Sequence, residues 1–126
     1  MQSQHTGRQG KVWGSTTRVH YSSSTIVEHV SAVAGWRCSK HKHPDRYNQF
    51  YVVKGLLRVV CWKDDLQDST LLGPGCSTVI APGVFHYFEA IEPTEMIEVY
   101  WMEFSHPGIE RVDHGQQTIP TLTRVG

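Results

Sequence analysis

Two histidines separated by one residue, His41 and His43, are the first sign of chemistry in this sequence. Along an extended strand alternate side chains share a face, so both imidazoles point the same way. Neutral imidazole is the commonest protein ligand for transition metals, and two on one face make half of a site. The chain has eight histidines, more than a surface usually needs, so the remaining ligands must be sought elsewhere along it. The pair lies in GWRCSKHKHPDRYNQFYVVKG, residues 35–55, where the hydrophobic run Phe50–Val53 follows and Gly55 supplies a turn. If Asn48 points inward, Phe50 and Val52 line the same wall and form an apolar floor. Lys40 and Lys42 alternate with the histidines and are expected to face outward.

The elements that must position these residues read as strands. Lys11–Val33 is rich in Thr, Val, Ser and Tyr and alternates in TIVEHVSAV, a pattern that favours β-structure. Trp36–His43 reads as a short strand leading to the histidines, and Pro44-Asp45 as a turn. Asn48–Lys54 and Leu56–Trp62 flank Gly55 as a hairpin or tight bend. Lys63–Asp68 reads as a charged loop, Ser69–Leu72 as a short strand, and Gly73-Pro74-Gly75 as a firm turn. Cys76–Ala81, Val84–Ala90 and Glu95–Phe104 complete the set. No helical periodicity longer than about two turns is present. Short strands with regular Gly/Pro punctuation predict a single all-β sandwich or barrel domain. Residues 1–10 are expected to be a flexible N-terminus, 11–104 the barrel, and 105–126 a C-terminal wrapping segment or tail.

Composition removes several function classes. Twelve basic and twelve acidic residues balance, so no basic field exists to bind nucleic acid. Apolar runs are far short of the roughly 20 residues that span a bilayer, so no membrane partner is expected. The N-terminal stretch MQSQHTGRQGK has no apolar h-region, which points to a cytoplasmic protein. Three cysteines, an odd count without C-x-x-C spacing, agree with reduced thiols, and Cys38, Cys61 and Cys76 read as packing residues. Neither a G-x-S-x-G nucleophile elbow nor a G-x-x-x-x-G-K phosphate loop occurs. Tyr47, Tyr51, Tyr87 and Tyr100, with Trp62 and Trp101, could stack a sugar or aromatic ligand, although at strand spacing such residues usually pack on sheet faces.

The spacing resembles the cupin superfamily. Gly35, His41-Lys42-His43, Asn48 and Gly55 follow G-x5-H-x-H-x(3,4)-E-x6-G, with Asn48 where that family has Glu. Gly75, Pro82-Gly83 and His86 follow G-x5-P-x-G-x2-H-x3-N, with Ala81 and Ala90 as the departures. The resemblance implies a cupin jelly-roll barrel (double-stranded β-helix) whose divalent metal is held by His41, His43 and His86, with Asn48 in the fourth ligand position. Zn, Mn, Fe and Ni are all compatible with such a set. A neutral amide oxygen is a weaker ligand than a carboxylate, but three imidazoles still make a competent site with open positions.

A finer resemblance is to the cupin domain of type II mannose-6-phosphate isomerases. It runs in fragments over about residues 10–115, through Lys11-Val12-Trp13-Gly14, the histidine segment, Met96-Ile97-Glu98-Val99-Tyr100 and Ile109-Glu110-Arg111. This resemblance implies metal-assisted aldose–ketose interconversion of a sugar phosphate. Glu98 is then the candidate base, with Arg46 and Arg111 as phosphate clamps and Arg111 counted with the catalytic residues. Asn48, Phe50 and Tyr100 are expected to line the substrate side. Two other readings stand beside it: a non-catalytic cupin that binds a sugar or nucleotide-sugar, and a three-histidine non-haem iron dioxygenase. Small cupins commonly pair, so a homodimer is expected, with Lys11–Tyr21 as the edge-pairing or swapped strand.

Overall fold

The computed structural model describes residues 7–103 and 115–118, and every regular element among them is a strand. In chain order these are β1 (Arg8–Lys11), β2 (Gly14–Tyr21), β3 (Thr25–Ala32), β4 (Tyr47–Lys54), β5 (Leu57–Lys63), β6 (Leu66–Leu72), β7 (Ser77–Ile80), β8 (Phe85–Ala90) and β9 (Thr94–Trp101). They pair antiparallel in two sheets, β1-β2-β3-β9-β4-β7 and β6-β5-β8. This is the all-β jelly roll that the strand pattern predicts.

Alternation along the strands selects what faces inward. In β4, Asn48, Phe50 and Val52 are buried while Tyr51 and Val53 are exposed. β8 buries His86, Phe88 and Ala90, and β9 buries Thr94, Met96 and Glu98. Register then stacks these residues in levels. Val30, Met96 and Val52 are neighbours across β3, β9 and β4. One level along lie Glu28, Glu98 and Phe50, and the next holds Ile26, Tyr100 and Asn48. The interior is therefore apolar at one end and polar at the other. Fully burying a side chain such as Met96, Val52 or Leu57 stabilises the fold by about 1.5–3 kcal/mol each. That end offsets the cost of enclosing Asn48, His86 and Glu98 at the other.

Gly55 makes the crossing between sheets. Its φ is +102°, and a Cβ there would meet the Pro93 carbonyl oxygen at 2.3 Å and Thr94 Cα at 2.7 Å. Both obstacles are backbone and cannot swing away. Gly55→Ala should lower the urea midpoint, with a loss of at least ~2 kcal/mol.

Several elements differ from the sequence-based expectation. Of the hairpin or tight bend expected at Gly55, the bend forms and the hairpin does not, because Gly55 sends the chain from the six-stranded sheet into the three-stranded one. Lys63–Asp68 is not a loop: Asp64 and Asp65, both at positive φ, make a two-residue turn, and Leu66–Asp68 begins the exposed strand β6. Aspartate tolerates that conformation unusually well. Strand structure already begins at Arg8, inside the stretch expected to be flexible, because β1 pairs with β2 along its full length. Residues 36–43 carry only two isolated bridges, Arg37 with Glu89 and His41 with His86. Cys76 is exposed at the β7 turn rather than packed, whereas Cys38 is buried and Cys61 half-buried. The segment expected to wrap the barrel, residues 105–126, lies outside the described residues except for 115–118, and Arg111 lies outside them too.

Candidate metal centre

Backbone pairing brings the separated histidines together. His41 N–H donates to the His86 carbonyl at 3.0 Å, and His86 N–H returns the bond to His41 at 2.8 Å. Residues directly opposite in such a pair project to the same face. His43 is fixed from the other side, where Gly83 N–H donates to its carbonyl at 2.8 Å. The turn of the second motif thus holds the backbone of the first. One ligand nitrogen from each of His41, His43 and His86 lies within 4.8 Å of the others. Nitrogens on one ion at about 2.1 Å each can be at most about 4.2 Å apart, so small ring rotations close the set.

Tautomers are set by the outer partners. His86 Nδ1 donates to the Val84 carbonyl at 2.9 Å, and His41 Nδ1 to the Ser39 carbonyl at 2.7 Å. A carbonyl only accepts, so each Nδ1 carries the proton and each Nε2 presents a lone pair inward. His43 Nε2 is buried with no hydrogen-bond partner. Burial, reinforced by the neighbouring His41 and His86, pushes the His43 pKa down to about 4. Burial also lowers that of His86. His43 and His86 therefore favour the neutral, ligating form at neutral pH.

Asn48 completes the cluster. Its Oδ1 lies 3.1 Å from His86 Nε2, so two lone-pair groups face each other. Either the amide turns its NH2 to the ring, or a cation sits between oxygen and nitrogen. The other end of the amide favours the second arrangement. Asn48 NH2 stabilises the charged form of Glu98, although it completes no hydrogen bond of regular geometry. An orphaned imidazole nitrogen and an acceptor pair without a proton are what a metal ion would satisfy, so these residues fit the divalent metal.

Glu98 is enclosed on β9, and the Tyr100 hydroxyl donates to its Oε1. Burial, with Glu28 adding like charge, pushes its pKa up to about 8. Glu98, Glu28, Thr16, Cys38, His41 and Tyr100 all line one cavity of about 170 Å³. Phe50 packs its ring against His86 and against Phe88, which lines the cavity. The expected inward set of Asn48, Phe50, Glu98 and Tyr100 is thus assembled around the histidines. Arg46 is not: it borders a separate cavity and pairs with Asp45 at 3.1 Å. Lys40 and Lys42 face outward over Trp62 and Phe85. Tyr47 and Trp101 stack on each other, centroids 5.4 Å apart. Glu28 and Thr16 went unnoticed in the sequence, and only their place in alternating strands could have marked them.

Fold and site together define an all-β jelly roll carrying a three-histidine cluster suited to a metal ion. No protein-family profile matches the sequence. No curated protein matches it either. Solved structures do. KdgF from Halomonas sp. is 20% identical with a TM-score of 0.68, over 78% of this chain and 89% of that one. Oxalate decarboxylase from Bacillus subtilis is 18% identical with a TM-score of 0.70, over 77% of this chain but only 27% of that one. A conserved protein of unknown function from Streptococcus pyogenes is 16% identical with a TM-score of 0.62, over 71% and 75% of the two chains. At these identities the likeness establishes the fold.

Proposed function

We propose that this protein is a metal-dependent enzyme that moves a proton on a sugar phosphate, in an aldose–ketose isomerisation of the mannose-6-phosphate type. The observation that carries the reading is Glu98, a buried carboxyl that opens into the same cavity as His41. A divalent metal held by His41, His43 and His86, with Asn48 beside His86, would supply Lewis acidity toward a substrate oxygen. Manganese is one suitable ion, and the Bacillus subtilis oxalate decarboxylase is described with Mn(II) centres.

The chain's own residues provide the proton chemistry. A carboxyl whose pKa lies near 8 both takes and returns a proton near neutral pH, as an isomerase base must. Tyr100 donates to its oxygen and Asn48 favours its charged form, so the carboxylate is stabilised when it forms. Phe88 lines the cavity and packs against Phe50, giving the site an apolar side.

The test is metal analysis of tag-free protein paired with an assay for conversion of mannose 6-phosphate to fructose 6-phosphate. Turnover that disappears on chelation and returns with metal is expected. Metal-loaded protein that binds the sugar phosphate without converting it would establish the binding-only reading instead, which Asn48 in place of a carboxylate favours. Oxygen consumption by the iron-loaded form would establish the dioxygenase.

A further inference from the structure

The outer face of the smaller sheet carries groups that the metal centre does not use. β5 and β8 turn Leu57, Val59, Phe88 and Ala90 into the core, so Arg58, Val60, Trp62, Phe85, Tyr87 and Glu89 face away from it. Register sets these in facing pairs, Trp62 with Phe85, Val60 with Tyr87 and Arg58 with Glu89. Residues 37–42 run beside β8, joined to it by the bridges Arg37–Glu89 and His41–His86. Their cations reach back over the rings. Lys40 Nζ lies 3.8 Å from the centre of the Trp62 ring and 5.7 Å from that of Phe85. Lys42 Nζ lies 4.8 Å from the centre of the Phe85 ring, and the Arg37 guanidinium 4.7 Å from that of Tyr87.

These cations lack counter-charges. Gln67, Ser69 and Leu71 of β6 complete the rows, so Glu89 is their one carboxylate, and Arg58 holds it at 2.9 Å. Arg18, Arg46 and Arg58 each have a carboxylate partner, whereas Arg37, Lys40 and Lys42 form no ion pair among the described residues. A chain of zero formal net charge thus gathers three unneutralised cations on one face. The shape of the face narrows what they can bind. None of these side chains lines the histidine cavity or the cavity beside Arg46, so a small anion would find no enclosure here. Several carboxylates on one chain can engage several cations together. Nucleic-acid bases need bare rings to stack on, and here a cation already lies over each of three rings. Carboxylates need only the N–H groups.

We infer that this face docks an acidic, extended segment of a partner protein. Its carboxylates meet Arg37, Lys40 and Lys42, and its backbone crosses Trp62, Phe85 and Tyr87. The ring contacts restrain the three cations beforehand, so less side-chain freedom is lost when the carboxylates arrive. The same short segment carries His41 and His43 toward the metal centre, so the partner grips the metal-binding segment from outside.

The docking face can be tested apart from metal and turnover, so it stands or falls separately from the isomerase reading. A fluorescein-labelled peptide of alternating Glu and Ser, followed by anisotropy, should bind saturably at low ionic strength. Physiological salt should weaken that binding about tenfold. Lys40→Ala together with Lys42→Ala should also weaken it about tenfold. Arg37→Ala, which leaves the residues beside the histidines untouched, should weaken it about threefold. In ¹⁵N-labelled protein the amide signals that shift should be those of residues 37–42 and 85–87. Absent binding, undiminished binding by these variants, or shifts confined to other strands would overturn the docking face. A peptide of alternating Lys and Ser that binds as tightly would overturn charge as its basis. Tighter binding of single-stranded oligothymidylate to the same residues would overturn the acidic-segment assignment.

Discussion

Protein carrying His41→Ala together with His86→Ala will hold no stoichiometric metal, whereas the parent will hold about one ion per chain. The expectation rests on how few donors surround the site. Among the described residues, three imidazole nitrogens and one amide oxygen converge there. Removing two imidazoles leaves His43 and a neutral oxygen, too little to compete with water for a divalent ion. Perturbing groups that merely orient a ligand typically costs 10–100-fold in affinity, so losing two ligands costs more. Folding must be separated from ligation, because His86 is fully buried against Asn48 and Phe50. Its truncation leaves a void that costs on the order of 2 kcal/mol. The half-buried His41 serves as the cleaner single variant, and thermal unfolding of each variant should be recorded beside its metal content. Full metal in a folded double variant would move the site elsewhere and remove the enzymatic reading with it.

In metal-free protein, stability should fall as pH rises above about 6.5, and Glu98→Gln should abolish that fall. The Glu98 carboxyl titrates near 8 in the folded chain against an ordinary 4.5. Between those values the folded chain keeps a proton that the unfolded chain has released. Raising pH therefore favours unfolding, by up to about 1.4 kcal/mol per unit. His43 acts in the opposite sense. Its folded pKa of about 4 against 6.5 means that the unfolded chain binds the extra proton, so stability rises with pH across that window. Between 4.5 and 6.5 His43, with His86 shifted in the same direction, opposes Glu98, and above 6.5 Glu98 sets the slope. Urea midpoints of chelated parent and Glu98→Gln, from about pH 5 to about pH 9, would show the difference. Under the proposed function the same variant should lose 10²–10⁴ in kcat, the usual size of a general-base contribution. A flat profile in the parent would mean that Glu98 is solvated, and would remove it as the base.

What could be read from the sequence followed the range of each signal. His41 and His43 declare themselves within three residues, because the strand period alone puts them on one face. The inward direction of Asn48, Phe50 and Val52 follows from the same alternation and is what β4 shows. Gly55 announced a reversal but not its partner: a glycine turn looks the same whether the flanking strands pair or part into different sheets. Longer-range relations were out of reach. Glu28 stands opposite Glu98 only because β3 lies beside β9, and nothing local to either glutamate says so. Arg46 entered as a phosphate clamp through the resemblance to the isomerases, yet the Pro44-Asp45 turn carries it round to a separate cavity.

The split interior of the barrel also bears on how such a chain can change over generations. Val30, Val52, Leu57 and Met96, which keep the protein folded, are distinct from Glu28, Glu98 and Tyr100, which line the histidine cavity from the next levels of the barrel. Substitutions at the polar end alter what is bound while leaving the folding core intact, and few couplings cross between the two. A lineage can therefore trade one substrate for another by a handful of exchanges around the histidines without passing through an unfolded ancestor. Sequences on this scaffold should then drift far apart while the barrel persists.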